Sequence, residues 1–105
     1  MISETQLEKA MHYLSETDAE GAELKADVQR TEFMAKVTEA LWFKQAEGGV
    51  EERRQYVKTL EPVKEAWEKH FAAITKHETV RARRERAVLV VDVYRTQASN
   101  RRAGL

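Results

Sequence analysis

The sequence contains no cysteine, a single proline and four glycines among its 105 residues. Without cysteine, the chain has neither a disulfide framework nor a thiolate metal site. Charged residues make up 34% of the chain. Because glycine and proline are so scarce beside this charge, the composition favours long helices over a sandwich or a barrel. The length predicts one domain over residues 1–105, with a thin core.

Long hydrophobic runs are absent as well. The longest uninterrupted apolar segment covers residues 87–91, whereas a bilayer-spanning helix needs about 20 apolar residues. No secretory signal is recognisable at the beginning of the sequence. These two absences lead us to expect a cytoplasmic protein that makes no contact with a membrane.

Catalytic and metal-binding patterns are missing too. Gly48 and Gly49 lack the residues that surround them in a phosphate-binding loop, and no nucleophile motif of the GxSxG type occurs. His70 and His77 would share one side of a helix, but helical metal sites use ligands three or four residues apart and need a third ligand. We therefore predict no enzyme, no cofactor and no metal site, with both histidines on a helix surface or interface.

A long helix predicted over residues 62–100 dominates what the sequence does contain. Its interior has neither glycine nor proline, and Pro62 fits a first helical turn because the missing N–H has no partner there. Ser99 and Asn100 are typical of a helix end. The helix would be about 55 Å long, and a helix of this kind needs a partner for its apolar face.

The rest of the chain predicts three further helices, over residues 1–15, 18–47 and 50–60. The break at 15–18 is expected because serine, threonine and aspartate there compete for backbone hydrogen bonds, and Gly48 with Gly49 ends the second helix. The predicted fold is therefore all-α: an elongated antiparallel helical hairpin with short flanking helices. We expect Trp42 and Trp67, which lie on either side of the turn, to be buried. No clean heptad pattern is visible.

Segment 87–94 is apolar on nearly every side. Its β-branched residues leave a strand as an alternative, but no second candidate strand exists to satisfy its backbone hydrogen bonds. A helix buried on more than one side explains the pattern better. We therefore predict a homo-oligomer with Val88, Val91 and Tyr94 in its interface.

Charge is distributed unevenly along the sequence. Residues 1–49 hold ten acidic and five basic side chains, whereas residues 79–105 hold two acidic side chains and seven arginines. Guanidinium groups match phosphate geometry, and Tyr94 could stack on an unpaired base. The predicted nucleic-acid-binding residues are Arg81, Arg83, Arg84, Arg86, Arg95, Arg101 and Arg102. The alternative is that these arginines pair with acidic residues between positions 16 and 32.

The basic end of the chain also carries a resemblance. Its last residues are Tyr94-Arg95, followed after four residues by Asn100-Arg101-Arg102. Together with the helix, glycine break and charged restart before it, this ending resembles a small all-helical family encoded by tailed phages and prophages. The resemblance covers roughly residues 18–104. It implies a protein made in a bacterial host cell and encoded among phage genes for recombination and replication. The order of helices and charge is also similar to phage recombination mediators, which oligomerise and bind single-stranded DNA.

These observations lead to one expected function and one alternative. We expect a non-catalytic accessory protein that binds single-stranded DNA in recombination or replication, with a phage or host recombinase or annealing protein as a further partner. The mechanism would be electrostatic, with arginines on phosphates and an oligomer that multiplies weak contacts. The alternative is a helical adaptor or inhibitor that binds proteins and not nucleic acid.

Overall fold

The computed structural model describes residues 1–104, and the helices within that range are α1 (Glu4–Gln45), α2 (Val50–Val57) and α3 (Glu61–Arg102). The described residues include no strand, so the prediction of an all-α fold with a long last helix is confirmed. The strand alternative for segment 87–94 is wrong, since the segment lies inside α3.

Helix α1 runs without interruption through the predicted break at residues 15–18. The expected helices 1–15 and 18–47 are therefore one helix, and this boundary was predicted wrongly. The reason lies in Thr17, whose hydroxyl donates to the Tyr13 carbonyl at 2.7 Å while the side chain is buried. A residue that favours helix starts by its own propensity is here held within the helix by its surroundings.

The turns between the helices follow the sequence signals. Gly48 lies in the turn between α1 and α2 and has φ +110°, a conformation that residues with a side chain rarely adopt. Gly49 precedes α2 in an extended conformation, with φ −69° and ψ 164°. Pro62 lies in the first turn of α3, as expected for a residue without an N–H.

The helices form two compact units, and the expectation of one domain stays a prediction. Unit 1 combines Met1–Ala22 with the chain from Glu78 onward, and unit 2 is Glu23–His77. Helices α1 and α3 each contribute one segment to both units, and α2 belongs to unit 2.

In unit 1, α1 and α3 pack antiparallel through small and polar side chains. Ala10, Thr17 and Ala87 are its buried residues among those described. The Ile2 N–H donates to Gln97 at 3.0 Å, whereas Leu14 contacts Arg84. Early residues of α1 thus meet late residues of α3, which is the predicted hairpin direction.

Unit 2 is built around two valines. Val57 of α2 and Val63 of α3 are each 1% exposed and are the largest fully buried side chains in the described chain. Thr31 of α1 and the buried His70 of α3 lie 3.1 Å apart, between Oγ1 and Nδ1, so His70 belongs to a helix interface. The Arg53 guanidinium carbon of α2 lies 4.1 Å from the Phe43 ring centroid of α1, a cation–π distance.

The two tryptophans lie at the edge of the helix interface and not among its buried residues. Trp42 is 38% exposed, so its predicted burial is wrong, and Trp67 is half-buried. Small side chains such as Ala35 and Ala73 occupy the buried positions, which brings the helices close and leaves an indole no room between them. The buried residues of α1 nevertheless belong to two series at spacings of three and four, the heptad spacing, whose other members are half-buried. The series are Leu7, Ala10, Leu14 and Thr17 in unit 1 and Leu24, Val28, Thr31 and Ala35 in unit 2.

Candidate nucleic-acid interface

The predicted arginines lie in several different environments, and Arg84 is the most enclosed. Its side chain is 26% exposed. Its Nη1 donates to the Thr17 hydroxyl at 2.6 Å and to the Leu14 carbonyl at 2.9 Å, and its Nη2 lies 3.4 Å from an Asp18 carboxylate oxygen. For this residue the alternative interpretation, pairing with the acidic part of the chain, is the correct one. Arg84 therefore links α3 to α1 within unit 1 and is not a candidate DNA ligand.

Arg81 is paired within its own helix. Its Nη1 lies 3.4 Å from Glu78 and its Nε lies 3.1 Å from Glu85, one turn away on either side. The Coulomb attraction of Glu78 and the hydrogen bond to Glu85 raise the pKa of the Arg81 guanidinium. Because two carboxylates already surround this charge, Arg81 is a poor phosphate ligand.

Arg83 and Arg86 line an open groove of unit 1, which we call the basic groove. Its cavity volume is about 450 Å³. Lys9 contributes a third cation, and Tyr13 an aromatic ring. The lining residues are Gln6, Lys9, Ala10 and Tyr13 of α1 and Arg83, Arg86, Ala87 and Val90 of α3. None of these lining residues is acidic, so the groove presents positive charge beside an apolar floor.

The cations of the basic groove are not neutralised by neighbours. Within residues 1–104, no ion pair involves Lys9, Arg83 or Arg86, and Arg86 Nε reaches only the Ala82 carbonyl, at 3.5 Å. Sequence reasoning found the two arginines but missed Lys9 and Tyr13. The available signal was weak: Lys9 is the one lysine or arginine among residues 1–22.

The remaining predicted residues lie further along α3 and are not gathered into the groove. The Arg101 guanidinium carbon lies 5.9 Å from the Tyr94 ring centroid, so an arginine of the same helix already lies near that ring. Arg95 and Arg102 are exposed. Arg95 follows Arg86 by about 13 Å along the helix, at 1.5 Å per residue. These exposed arginines can extend a phosphate path but do not form the same site.

The predicted oligomer residues are covered unequally. Val88 is 46% exposed, whereas Val91 and Tyr94 are half-buried. The neighbouring Leu89 is 60% exposed, so packing in unit 1 leaves part of segment 87–94 uncovered. The interface at these residues stays a prediction.

Residues 1–104 contain neither a metal-site cluster nor a helix that could span a membrane. No cluster of three or more histidine, cysteine or acidic side chains with a metal-site arrangement occurs there. None of the described helices has the length and apolar character needed to cross a membrane.

Comparison with known proteins adds no relative: no family model, curated protein or solved structure matches the chain. The resemblance to phage proteins therefore stays a prediction, and the basic groove is the main guide to function.

Proposed function

We propose that this protein binds single-stranded DNA through the basic groove, as a non-catalytic accessory in recombination or replication. One observation supports the proposal above others: three cations without carboxylate partners share an open groove with a tyrosine ring. Phosphates need the cations, and an unpaired base needs the ring.

The groove residues have distinct roles in this proposal. Arg83 and Arg86 offer guanidinium forks, each of which can donate two hydrogen bonds to one phosphate. Lys9 adds a point charge on the opposite wall. The Tyr13 ring, which is half-buried, provides a face on which one base stacks. A base inside a duplex has no such free face, so this arrangement favours a single strand.

The expected affinity is low and depends strongly on salt. With about −0.7 in log–log slope for each phosphate contact on a single strand, three contacts give a slope of about −2. Binding would weaken about 20-fold between about 50 and 200 mM salt. Because phosphate contacts position a strand and do not read its sequence, we expect little base preference.

The test is a titration of fluorescently labelled single- and double-stranded DNA at these two salt concentrations. The double variant Arg83→Gln/Arg86→Gln should bind more weakly to all sequences and reduce the slope to about −0.7, the value for Lys9 alone. Arg81→Gln is the matched control, because it removes an arginine of the same helix that is already paired. If the double variant binds DNA as tightly as the parent, or if Arg81→Gln weakens binding equally, the basic groove is not the DNA-binding site.

The adaptor alternative has one observation in its favour. Large apolar side chains are exposed in both units, including Leu89 at 60% and Phe33 at 66%, and such surfaces often mark protein partners. A recombinase or annealing protein would be the expected partner. If the parent chain binds no DNA even at about 50 mM salt, where the electrostatic contribution is strong, the adaptor function replaces DNA binding.

A further inference from the structure

One side of α1 in unit 2 carries an uncovered apolar strip, which we call the α1 strip. Phe33, Met34 and Leu41 are 66%, 56% and 56% exposed, and Val37 lies half-buried between them. Val37 follows Met34 by three residues and Phe33 by four, and Leu41 follows Val37 by four, so the four side chains lie within about 100° of one helix side. Exposed apolar residues of this size, grouped on one side, indicate a surface that is covered by something else.

The other helices of unit 2 leave this side free. Helix α2 packs on a different side of α1, where Lys36, Glu39 and Phe43 line a cavity together with Val57. Beside the strip, Met34 and Thr38 face Pro62 and Ala66 of α3 across a groove of about 440 Å³. Since proline and alanine have short side chains, a second helix can approach α1 closely here.

The charges at the two ends of the α1 strip are opposite. At the N-terminal end, the single guanidinium of Arg30 is shared by the carboxylates of Glu23 and Asp27, which leaves an excess negative charge. Lys44 lies at the C-terminal end of the strip, where it is exposed and has no ion pair within the described chain. A strip with an apolar centre, one negative end and one positive end is complementary to itself when two copies run antiparallel.

We propose that two copies of this chain associate through the α1 strip, antiparallel, with the twofold axis between Phe33 and Met34. In this register Lys44 meets Glu23 of the second copy, Leu41 meets Ala26, and Val37 meets the aliphatic stem of Arg30. Phe33 and Met34 pack on each other across the axis. A second copy fits this surface because, in the antiparallel arrangement, the positive end of each strip meets the negative end of the other.

Segment 87–94 is a weaker surface for the same purpose. Val88, Leu89 and Val93 are 46%, 60% and 38% exposed, but the exposed carboxylate of Asp92 lies one turn after Val88. This charge interrupts the apolar surface, whereas no charged side chain lies among the apolar residues of the α1 strip. Arg86 and Arg95 flank segment 87–94, and a second copy placed there would bring like charges together, which opposes association. The interface predicted from sequence at Val88, Val91 and Tyr94 is therefore the competing outcome of the test.

Because the chain has no cysteine, a single introduced cysteine can form a disulfide only with the same residue of a second copy. Its oxidation therefore tests whether the two residues lie close together. Met34→Cys places a thiol beside the proposed axis, and mild oxidation should convert most of the protein to a disulfide-linked dimer. Leu89→Cys is the matched control, since it is on a long helix and equally accessible, and it should stay monomeric. Dimer formation by Leu89→Cys with none by Met34→Cys would overturn the proposal in favour of segment 87–94.

Light scattering at increasing protein concentration provides the second measurement. The parent should approach the mass of two chains, whereas Leu41→Glu should stay at the mass of one, with helicity checked by circular dichroism. Tyr56→Glu is the control, because Tyr56 is 55% exposed on α2 and outside the strip. A monomeric parent at high micromolar concentration, or a Leu41→Glu variant that still dimerises, would refute the interface. Neither result depends on DNA binding.

Discussion

Arg83 and Arg84 are neighbours in sequence but have different surroundings. At 3.6 residues per turn, adjacent side chains point about 100° apart. Arg84 is thereby directed at Thr17 and the Leu14 carbonyl, while Arg83 lines the basic groove. The sequence shows a cluster of arginines, and the pairing of α1 with α3 decides which of them is structural.

Arg84→Gln should lower the free energy of unfolding. The variant loses two hydrogen bonds from a charged donor and the contact with Asp18, and since the side chain is 26% exposed we expect a loss of about 1–2 kcal/mol. Urea denaturation followed by circular dichroism measures it. Arg83→Gln is the control and should change stability by less than about 0.5 kcal/mol. Equal losses in the two variants would contradict the structural role of Arg84.

At the scale of elements, the turn between α1 and α2 is set by one backbone angle. Gly48→Ala should lower the free energy of unfolding by about 1–2 kcal/mol, because φ is +110° there and an L side chain is strained in that region. The added Cβ would also lie 2.7 Å from Glu52 Oε2, although that flexible side chain can move away.

Gly49→Ala is the matched control for this turn. Gly49 has φ −69°, and a Cβ there would meet nothing within 4 Å. Its substitution should change stability by less than about 0.5 kcal/mol. Urea denaturation of both variants separates the two glycines, and a similar loss in each would show that φ at Gly48 is not the cause.

Elements with strong local signals were predicted well, and those that depend on tertiary contacts were not. The glycine turn and the start of α3 near Pro62 follow from local signals that the structure bears out. Thr17 lies in the predicted break, and its burial against Arg84 cannot be read from its neighbours in sequence. Similarly, Lys9 and Tyr13 join the basic groove only because α1 pairs with α3, so a linear search for basic clusters misses them.

At the scale of the whole molecule, the two units differ in how much apolar surface they bury. Among the described residues, the buried apolar side chains of unit 1 are Ala10 and Ala87, whereas unit 2 buries Ala35, Val57, Val63 and Ala73. Local opening is easiest where few apolar contacts are broken. We therefore expect unit 1, which carries the basic groove, to open more readily than unit 2.

Hydrogen exchange followed by mass spectrometry should show this difference. We expect backbone amides of α1 before residue 22 to exchange faster than those of α1 after residue 23. Addition of a single-stranded oligonucleotide should slow exchange in unit 1 selectively, since a ligand that binds only the folded state opposes opening. Uniform exchange along α1 would contradict the difference in stability, and protection confined to unit 2 would contradict DNA binding at the groove.

The exposure of the α1 methionines has a consequence for oxidative chemistry. Besides Met1, which is 98% exposed, Met11 is 55% exposed in unit 1 and Met34 is 56% exposed in unit 2, so α1 of a single copy presents two similar thioethers to peroxide in a chain without thiols. Oxidation to the sulfoxide makes the side chain polar. In a pair of copies joined through the α1 strip, Met34 is shielded while Met11 stays accessible, so peroxide would modify Met11 before Met34. Once oxidised, Met34 would oppose pairing, which makes the assembly sensitive to oxidants through a residue with no part in the basic groove.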